Sequence, residues 1–169
     1  LLTLLWLIFP TLAFNAPSSQ AETMGRIERL DPALDELVDA NAQIEVLASG
    51  FTWSEGPVWV GDSTAGHLLF SDIPRNSIYS WSPSRGIELF MNPSGYTGVT
   101  YYGLEPGSNG LAVDREGRLV ACEHGDRRVS VLSNGGGKLT LVDRFEGKRL
   151  NSPNDLCFDT AGSLYFTDP

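Results

Sequence analysis

The sequence predicts an all-β protein of the propeller type. Short apolar or alternating runs follow one another, Gly, Pro, Asp, Asn and Ser separate them, and one pattern recurs at the length of a four-stranded blade. The pattern opens as Glu55-Gly56-Pro57-Val58-Trp59, Asn109-Gly110-Leu111-Ala112-Val113 and Asn154-Asp155-Leu156-Cys157-Phe158. Each copy passes through a polar turn to a glycine (Gly66, Gly117, Gly162) and then a short apolar run. Each closes on a carboxylate six residues after its glycine: Asp72, Glu123 and Asp168. The glycines fall 51 and 45 residues apart, which suits blades of about 45 residues. Equivalent positions of successive blades face one central channel, so Glu55, Asn109 and Asn154 are expected to converge.

Along the chain, residues 1–14 are almost wholly apolar and uncharged, and Ser19-Gln20-Ala21 places small residues where a signal peptidase reads. Residues 1–21 therefore read as a secretory signal peptide lacking its basic n-region, which implies export to the periplasm or medium. The run is shorter than the ~20 residues of a spanning helix. Residues 22–43 form an N-terminal segment in which Asp31-Pro32-Ala33-Leu34-Asp35-Glu36-Leu37-Val38 carries the marks of one short helix: a capping Asp, Pro in the first turn, then acids. Residues 44–169 read as strands. The expected ones are Ile44–Leu47, Val58–Val60, Leu68–Ser71, Ser77–Trp81 and Ile87–Met91, then Leu111–Val113, Leu119–Cys122, Val129–Leu132, Leu139–Val142, Leu156–Phe158 and Leu164–Thr167.

Asp114-Arg115-Glu116-Gly117 and Asp159-Thr160-Ala161-Gly162 read as turns in which Asp bonds the backbone and Gly takes positive φ. The stretch 92–108 is long for a hairpin connection and is expected to overhang the channel mouth. Three blade-like units cannot close a ring. The chain begins Leu1-Leu2 and stops at Pro169 just after a strand-like run, so it is expected to be a fragment with roughly as much sequence again downstream, at about 45 residues per blade.

A net charge of −9 argues against nucleic acid or an anionic membrane as partner, since both need a basic face. Cys122 and Cys157 fall at different positions of two blades, each in an apolar run, and are expected to be buried free thiols rather than a disulfide.

Common nucleophile signals are lacking: there is no Gly-x-Ser-x-Gly elbow, and His67 and His124 are the two histidines. His67, beside Gly66, reads as an exposed turn residue. No Cys-x-x-Cys or His-x-x-x-His spacing suggests a soft metal. Asn134-Gly135-Gly136-Gly137-Lys138-Leu139 has Leu where a phosphate loop needs Ser or Thr, and reads as a hairpin turn. One carboxylate and two amides remain, a hard-oxygen set suited to Ca2+, Mg2+ or Mn2+. The residues alone leave two readings open: a cation site, or side chains merely tolerated at strand starts.

The stretches Trp53-Ser54-Glu55-Gly56-Pro57-Val58-Trp59, Ser108-Asn109-Gly110-Leu111, Glu123-His124-Gly125-Asp126-Arg127-Arg128-Val129, Leu150-Asn151-Ser152-Pro153-Asn154-Asp155-Leu156 and Tyr165-Phe166-Thr167-Asp168-Pro169 closely resemble the gluconolactonase branch of the SMP-30/gluconolactonase/LRE family. The likeness runs from about Asp31 to the end. It implies a six-bladed propeller, of which this chain covers roughly the first half. It also implies one divalent cation, most often Ca2+, with Mg2+, Mn2+ or Zn2+ as alternatives, and hydrolysis of a small-molecule sugar lactone.

By the resemblance, Glu55 and Asn154 are metal ligands, and Asn109 faces metal and substrate. Glu123 and His124 are candidate sugar contacts, with hydrogen bonding that holds blades together as the other reading of both. Asp72 and Asp168 are expected to be blade or turn anchors, and Arg127 and Arg128 packing or rim residues. The general-base aspartate is expected beyond Pro169, so no catalytic residue is assigned within the chain, and the fragment alone is expected to turn over little. Two other functions fit a propeller: a metal-free enzyme of the strictosidine-synthase type, against which Glu55 with Asn154 argues, and a non-catalytic periplasmic binding module.

Overall fold

A computed structural model describes residues 22–62 and 65–169; the expected leader, residues 1–21, lies outside the described residues. The chain divides into two units, the first ending at Val46 and the second running Leu47–Pro169. In the first, Asp31 caps a 3-10 helix, Pro32–Glu36, by accepting the Ala33 N–H. It is one 3-10 turn rather than an α-helix, and none of its residues is buried. Without an apolar face to bury, so short a segment has little to offset its nucleation cost. The strand expected over Ile44–Leu47 is reduced to one bridge, Thr23 with Glu45.

The second unit is built of antiparallel meanders. The first sheet comprises β1 (Ser54–Val60), β2 (His67–Asp72), β3 (Ser77–Ser82) and β4 (Gly86–Met91). The second comprises β5 (Ser108–Val113), β6 (Leu119–Glu123), β7 (Arg128–Leu132) and β8 (Lys138–Val142). A short hairpin, β9 (Arg144–Phe145) and β10 (Lys148–Arg149), precedes the pair β11 (Leu156–Phe158) and β12 (Leu164–Phe166). In each four-stranded sheet neighbours in sequence are neighbours in space, the up-and-down topology of a blade. His67 opens β2, half-buried and paired with Val60, rather than standing in the turn.

Strand alternation explains how the sheets stack. Leu119 and Ala121 of β6 join Leu69, Ile78 and Leu111 in one core between the two large sheets. Val120 and Cys122 point the other way and pack with Val129 and Val131 against Leu156, Phe158, Leu164 and Phe166. Every residue of β6 is consequently buried. The same alternation puts Cys157 and Tyr165 on the opposite face of β11–β12. Cys157 is therefore exposed, against expectation, while Cys122 is buried; both are free thiols. Burial, with Asp155 and Asp168 nearby, pushes the Cys122 thiol up to about 12, which makes it unreactive.

The turns follow the sequence. Asp114 accepts the N–H groups of Glu116 and Arg118, and Asp159 those of Ala161 and Ser163. Gly117 and Gly162 sit at φ 76° and 91°. Residues 133–137 close the β7–β8 hairpin through Ser133 and Gly137.

Successive sheets meet along their first strands. A Cβ on Gly56 would overlap the carbonyl oxygen of Asn109 and lie 2.9 Å from the Leu111 nitrogen. A Cβ on Gly110 would lie 2.6 Å from an Asp155 carboxylate oxygen and 2.9 Å from the Asn154 carbonyl. The Gly110 N–H donates to that Asn154 carbonyl at 2.7 Å. Gly56→Ala is expected to cost about 2–4 kcal/mol, combining overpacking with its left-handed φ of 56°. Gly117→Ala, equally left-handed but with nothing within 4 Å, is expected to cost only about 1–2 kcal/mol. Urea unfolding midpoints check this, and equal losses would show that strand approach is not the constraint.

Candidate functional site

The three recurring positions come together at one end of the stacked sheets. Glu55 and Asn109 stand at the starts of β1 and β5, and Asn154 just precedes β11. Both large sheets carry a bulge at this repeat position, between Glu55 and Val58 and between Ser108 and Leu111. A bulge re-aims the side chains beside it and interrupts regular pairing. With Gly56 seated on the Asn109–Gly110 backbone and Gly110 on Asn154–Asp155, the three backbones are consecutive neighbours.

Glu55 is exposed and accepts one bond, from the Trp53 indole at 3.3 Å. Asn154 is exposed, and Asn109 is 7% exposed. The carbonyl of Asn109 accepts the Ser71 hydroxyl at 2.9 Å, and Ser71 shares a 2.8 Å contact with the Ser108 hydroxyl. These bonds satisfy a buried carbonyl and hold Asn109 by its main chain. Among the described residues no three His, Cys, Asp or Glu side chains form a cluster that could hold a metal. The donors present are instead one carboxylate and two amides, a set with the hard-oxygen chemistry of a calcium or magnesium site.

Glu123, in the same register as Asp72 and Asp168, is fully buried. It accepts Arg128 at 2.6 Å, Lys138 at 2.9 Å and the Ser130 hydroxyl. Lys138 also donates to the Ser94 carbonyl at 3.0 Å, tying the second sheet to the segment that precedes it. With three donors engaged and no surface, Glu123 sits as a clamp, the second of its two readings. Arg128 is its partner within the sheet.

His124 is half-buried, 3.4 Å by Nδ1 from the Glu105 carboxylate. Burial pushes its pKa down; Glu105 opposes this and Arg127 adds to it. Its carbonyl accepts the Tyr102 hydroxyl at 3.1 Å. Parts of the segment 92–107 thus fold onto the β6–β7 turn, while Val99, Tyr101 and Leu104 stay exposed. Thr97 bonds Asp126 through N–H and hydroxyl, and the Asp126 N–H returns to the Gly95 carbonyl. Arg127 donates to the Tyr102 hydroxyl at 2.9 Å and to the Asn151 side chain at 3.1 Å. It therefore links this segment to the loop that carries Asn154.

Asn76 escaped the sequence reading. From φ 52°, its Oδ1 accepts the N–H groups of Ser94, Gly95 and Tyr96, and its Nδ2 donates to the Tyr96 carbonyl. Its signal was present: Asn in the β2–β3 turn, the residue type that tolerates left-handed backbone.

Removing the Glu123 carboxylate leaves Lys138 largely buried without a counter-charge, and leaves Arg128 only Asp126, at 3.4 Å. Glu123→Ala is expected to lower unfolding free energy by about 3–5 kcal/mol, measured by chemical denaturation. A loss under about 1 kcal/mol would show that the ion cluster is not holding the sheet.

Comparison with known proteins agrees with this architecture. The SMP-30/gluconolactonase/LRE-like region matches residues 53–169. A gluconolactonase of Zymomonas mobilis subsp. mobilis is 42% identical over 150 residues, covering 87% of this chain and 42% of that protein. The structure of a putative gluconolactonase superposes with a TM-score of 0.68 at 38% identity, over 83% of this chain and 44% of that one. A Xanthomonas campestris gluconolactonase, described as important in glucose secondary metabolic pathways, superposes at 0.67 with 31% identity, over 90% and 45%. The chain spans less than half the length of each of these relatives. The matched region takes in all three copies of the recurring pattern and both complete sheets, and the chain belongs to the SMP-30/gluconolactonase/LRE-like family.

Proposed function

We propose that the whole protein hydrolyses a sugar lactone to the open-chain aldonic acid, with a divalent cation, Ca2+ first, held by Glu55 and Asn154 and faced by Asn109. The observation that carries this reading is the juxtaposition of those three oxygen-bearing residues on or just before consecutive first strands, in a family that includes gluconolactonases. A cation there would supply Lewis acidity to an ester carbonyl and stabilise the charge that develops as the ring opens.

The chain's own residues set the conditions for that chemistry. Glu55 contributes the negative charge, and two neutral amides add oxygen donors without raising it. Buried bonds to Asn109 keep its backbone in place, so its amide meets a ligand with little reorganisation. His124 and the Tyr102 ring, 6.3 Å apart by centroid, are candidates for the sugar-facing wall. The general base is proposed to lie outside residues 1–169, in the remaining blades of a six-bladed ring, so that this stretch alone turns over little. Residues 1–21 are proposed to direct export. Among the described residues no helix is long and apolar enough to cross a membrane.

The test is acid release from glucono-δ-lactone by the complete protein, with spontaneous hydrolysis subtracted, with and without chelator and added Ca2+. Chelator-sensitive turnover restored by Ca2+ is expected. Glu55→Gln is expected to weaken Ca2+ binding by more than the ~10–100-fold that loss of a supporting outer group costs. Full activity in chelator, or an unchanged affinity in Glu55→Gln, would overturn the assignment.

A further inference from the structure

Asp72 and Asp168 occupy one repeat position, the last residue of β2 and two residues past β12, and they make the same kind of contact. The Asp72 carboxylate accepts two consecutive backbone N–H groups, Thr52 and Trp53, each at 3.0 Å. The Asp168 carboxylate accepts the consecutive N–H groups of Asn151, at 2.9 Å, and Ser152, at 2.6 Å. In both cases the candidate ligand stands two residues after the second gripped N–H: Glu55 after Trp53, Asn154 after Ser152. A carboxylate bonded to two successive amides fixes the peptide plane between them, and charge-assisted bonds of this kind are stronger than neutral ones. One intervening residue, Ser54 or Pro153, separates the gripped segment from the ligand; Ser54 already opens β1, and Asn154 just precedes β11.

The second sheet is the exception, and its chemistry explains why. The residues equivalent to Thr52 and Trp53 are Pro106 and Gly107. Pro106 has no N–H, and the Gly107 N–H is taken by the Ile73 carbonyl at 3.0 Å. With no N–H pair to grip, the carboxylate at this repeat position is the longer Glu123, turned to Arg128, Ser130 and Lys138. Asn109 is instead held through Ser108, whose N–H donates to the Ser94 hydroxyl at 3.0 Å, and through its carbonyl bond to Ser71.

We infer that Asp72 and Asp168 are positioning residues, each setting the main chain from which one candidate metal ligand, Glu55 or Asn154, is presented. The inference builds on the ligand reading given above. It adds a division of labour among the three repeat carboxylates: two orient ligand strands, and the third clamps its own sheet.

Three variants of the complete protein separate orientation from plain stability. Asp168→Asn is exposed and should fold; Asp72→Asn is the buried counterpart. Asp114→Asn serves as the control, because Asp114 also accepts two backbone N–H groups, but in a turn at the opposite end of its sheet. Calorimetric Ca2+ titration and amide hydrogen exchange are the readouts. Asp168→Asn and Asp72→Asn should each weaken Ca2+ binding about tenfold or more, the range for partners that orient a ligand. Asp114→Asn should lower the melting temperature while leaving affinity unchanged. The amides of Asn151, Ser152, Asn154 and Asp155 should exchange faster as a block in Asp168→Asn, with amides 161–163 unaffected. Should the unsubstituted protein bind no Ca2+, the ligand reading fails, and exchange alone judges the inference: block acceleration supports it. Unchanged exchange at 154–155, or variants that lose melting temperature without losing Ca2+ affinity, would overturn it.

Discussion

The close approach of successive first strands at Gly56 and Gly110 is the constraint on which the rest of the second unit depends. At each glycine a side chain would overlap the next strand's backbone, and the Gly110 N–H reaches the Asn154 carbonyl directly. There residues 45 or more apart in sequence have their backbones in direct contact. The approach brings together Glu55, Asn109 and Asn154. It also brings the large sheets close enough for the Leu69–Leu111–Ala121 core to close between them.

Bringing backbones this close at one end of the sheets leaves polar groups in need of partners, since an unpaired buried donor or acceptor costs roughly 1–3 kcal/mol. The structure meets that need with side chains rather than ladder bonds. Asn76 accepts three consecutive N–H groups, Ser71 and Ser94 hold the segment around Ser108, and Asp72 and Asp168 hold the strand entries. Among buried polar side chains in the described residues, the hydroxyl of Ser82 alone lacks a hydrogen-bond partner. The opposite end of the second sheet is made of ordinary turns, with Asp114 and Gly117 closing one and Ser133 and Gly137 the other. This asymmetry marks the candidate site independently of any motif, because satisfied polar networks fix geometry as hydrophobic contacts do not.

Much of this was legible beforehand, and the misses have particular causes. Strands β2 to β8 and β11 to β12 fall where apolar or alternating runs predicted them; β2, β3, β5, β6 and β7 carry fully buried residues, while β4, β8, β11 and β12 are at most half-buried. Ile44–Leu47 has the right composition but makes one bridge only. The β9–β10 hairpin went unseen because Arg144, Phe145, Lys148 and Arg149 are all exposed and show no buried face. Cys157 lies in an apolar run, yet sits on the face of β11–β12 turned away from the second sheet. The repeat register correctly grouped Asp72, Glu123 and Asp168 but could not say that their contacts differ. That depends on Pro106, a residue seventeen positions from Glu123 whose relevance appears only once the strands are stacked.

The sequence by itself determined the strand order, the turn chemistry, the repeat and the three positions at which a site could form. All of these follow from local conformational preference and from periodicity, which act over a few residues. Tertiary structure alone decided what each polar side chain does. Glu123 becomes a buried clamp, Arg127 spans from Tyr102 to Asn151, and Asn76 organises a loop eighteen residues away. Such roles rest on through-space partners brought within about 3 Å, and no periodicity along a chain encodes which distant donor will arrive.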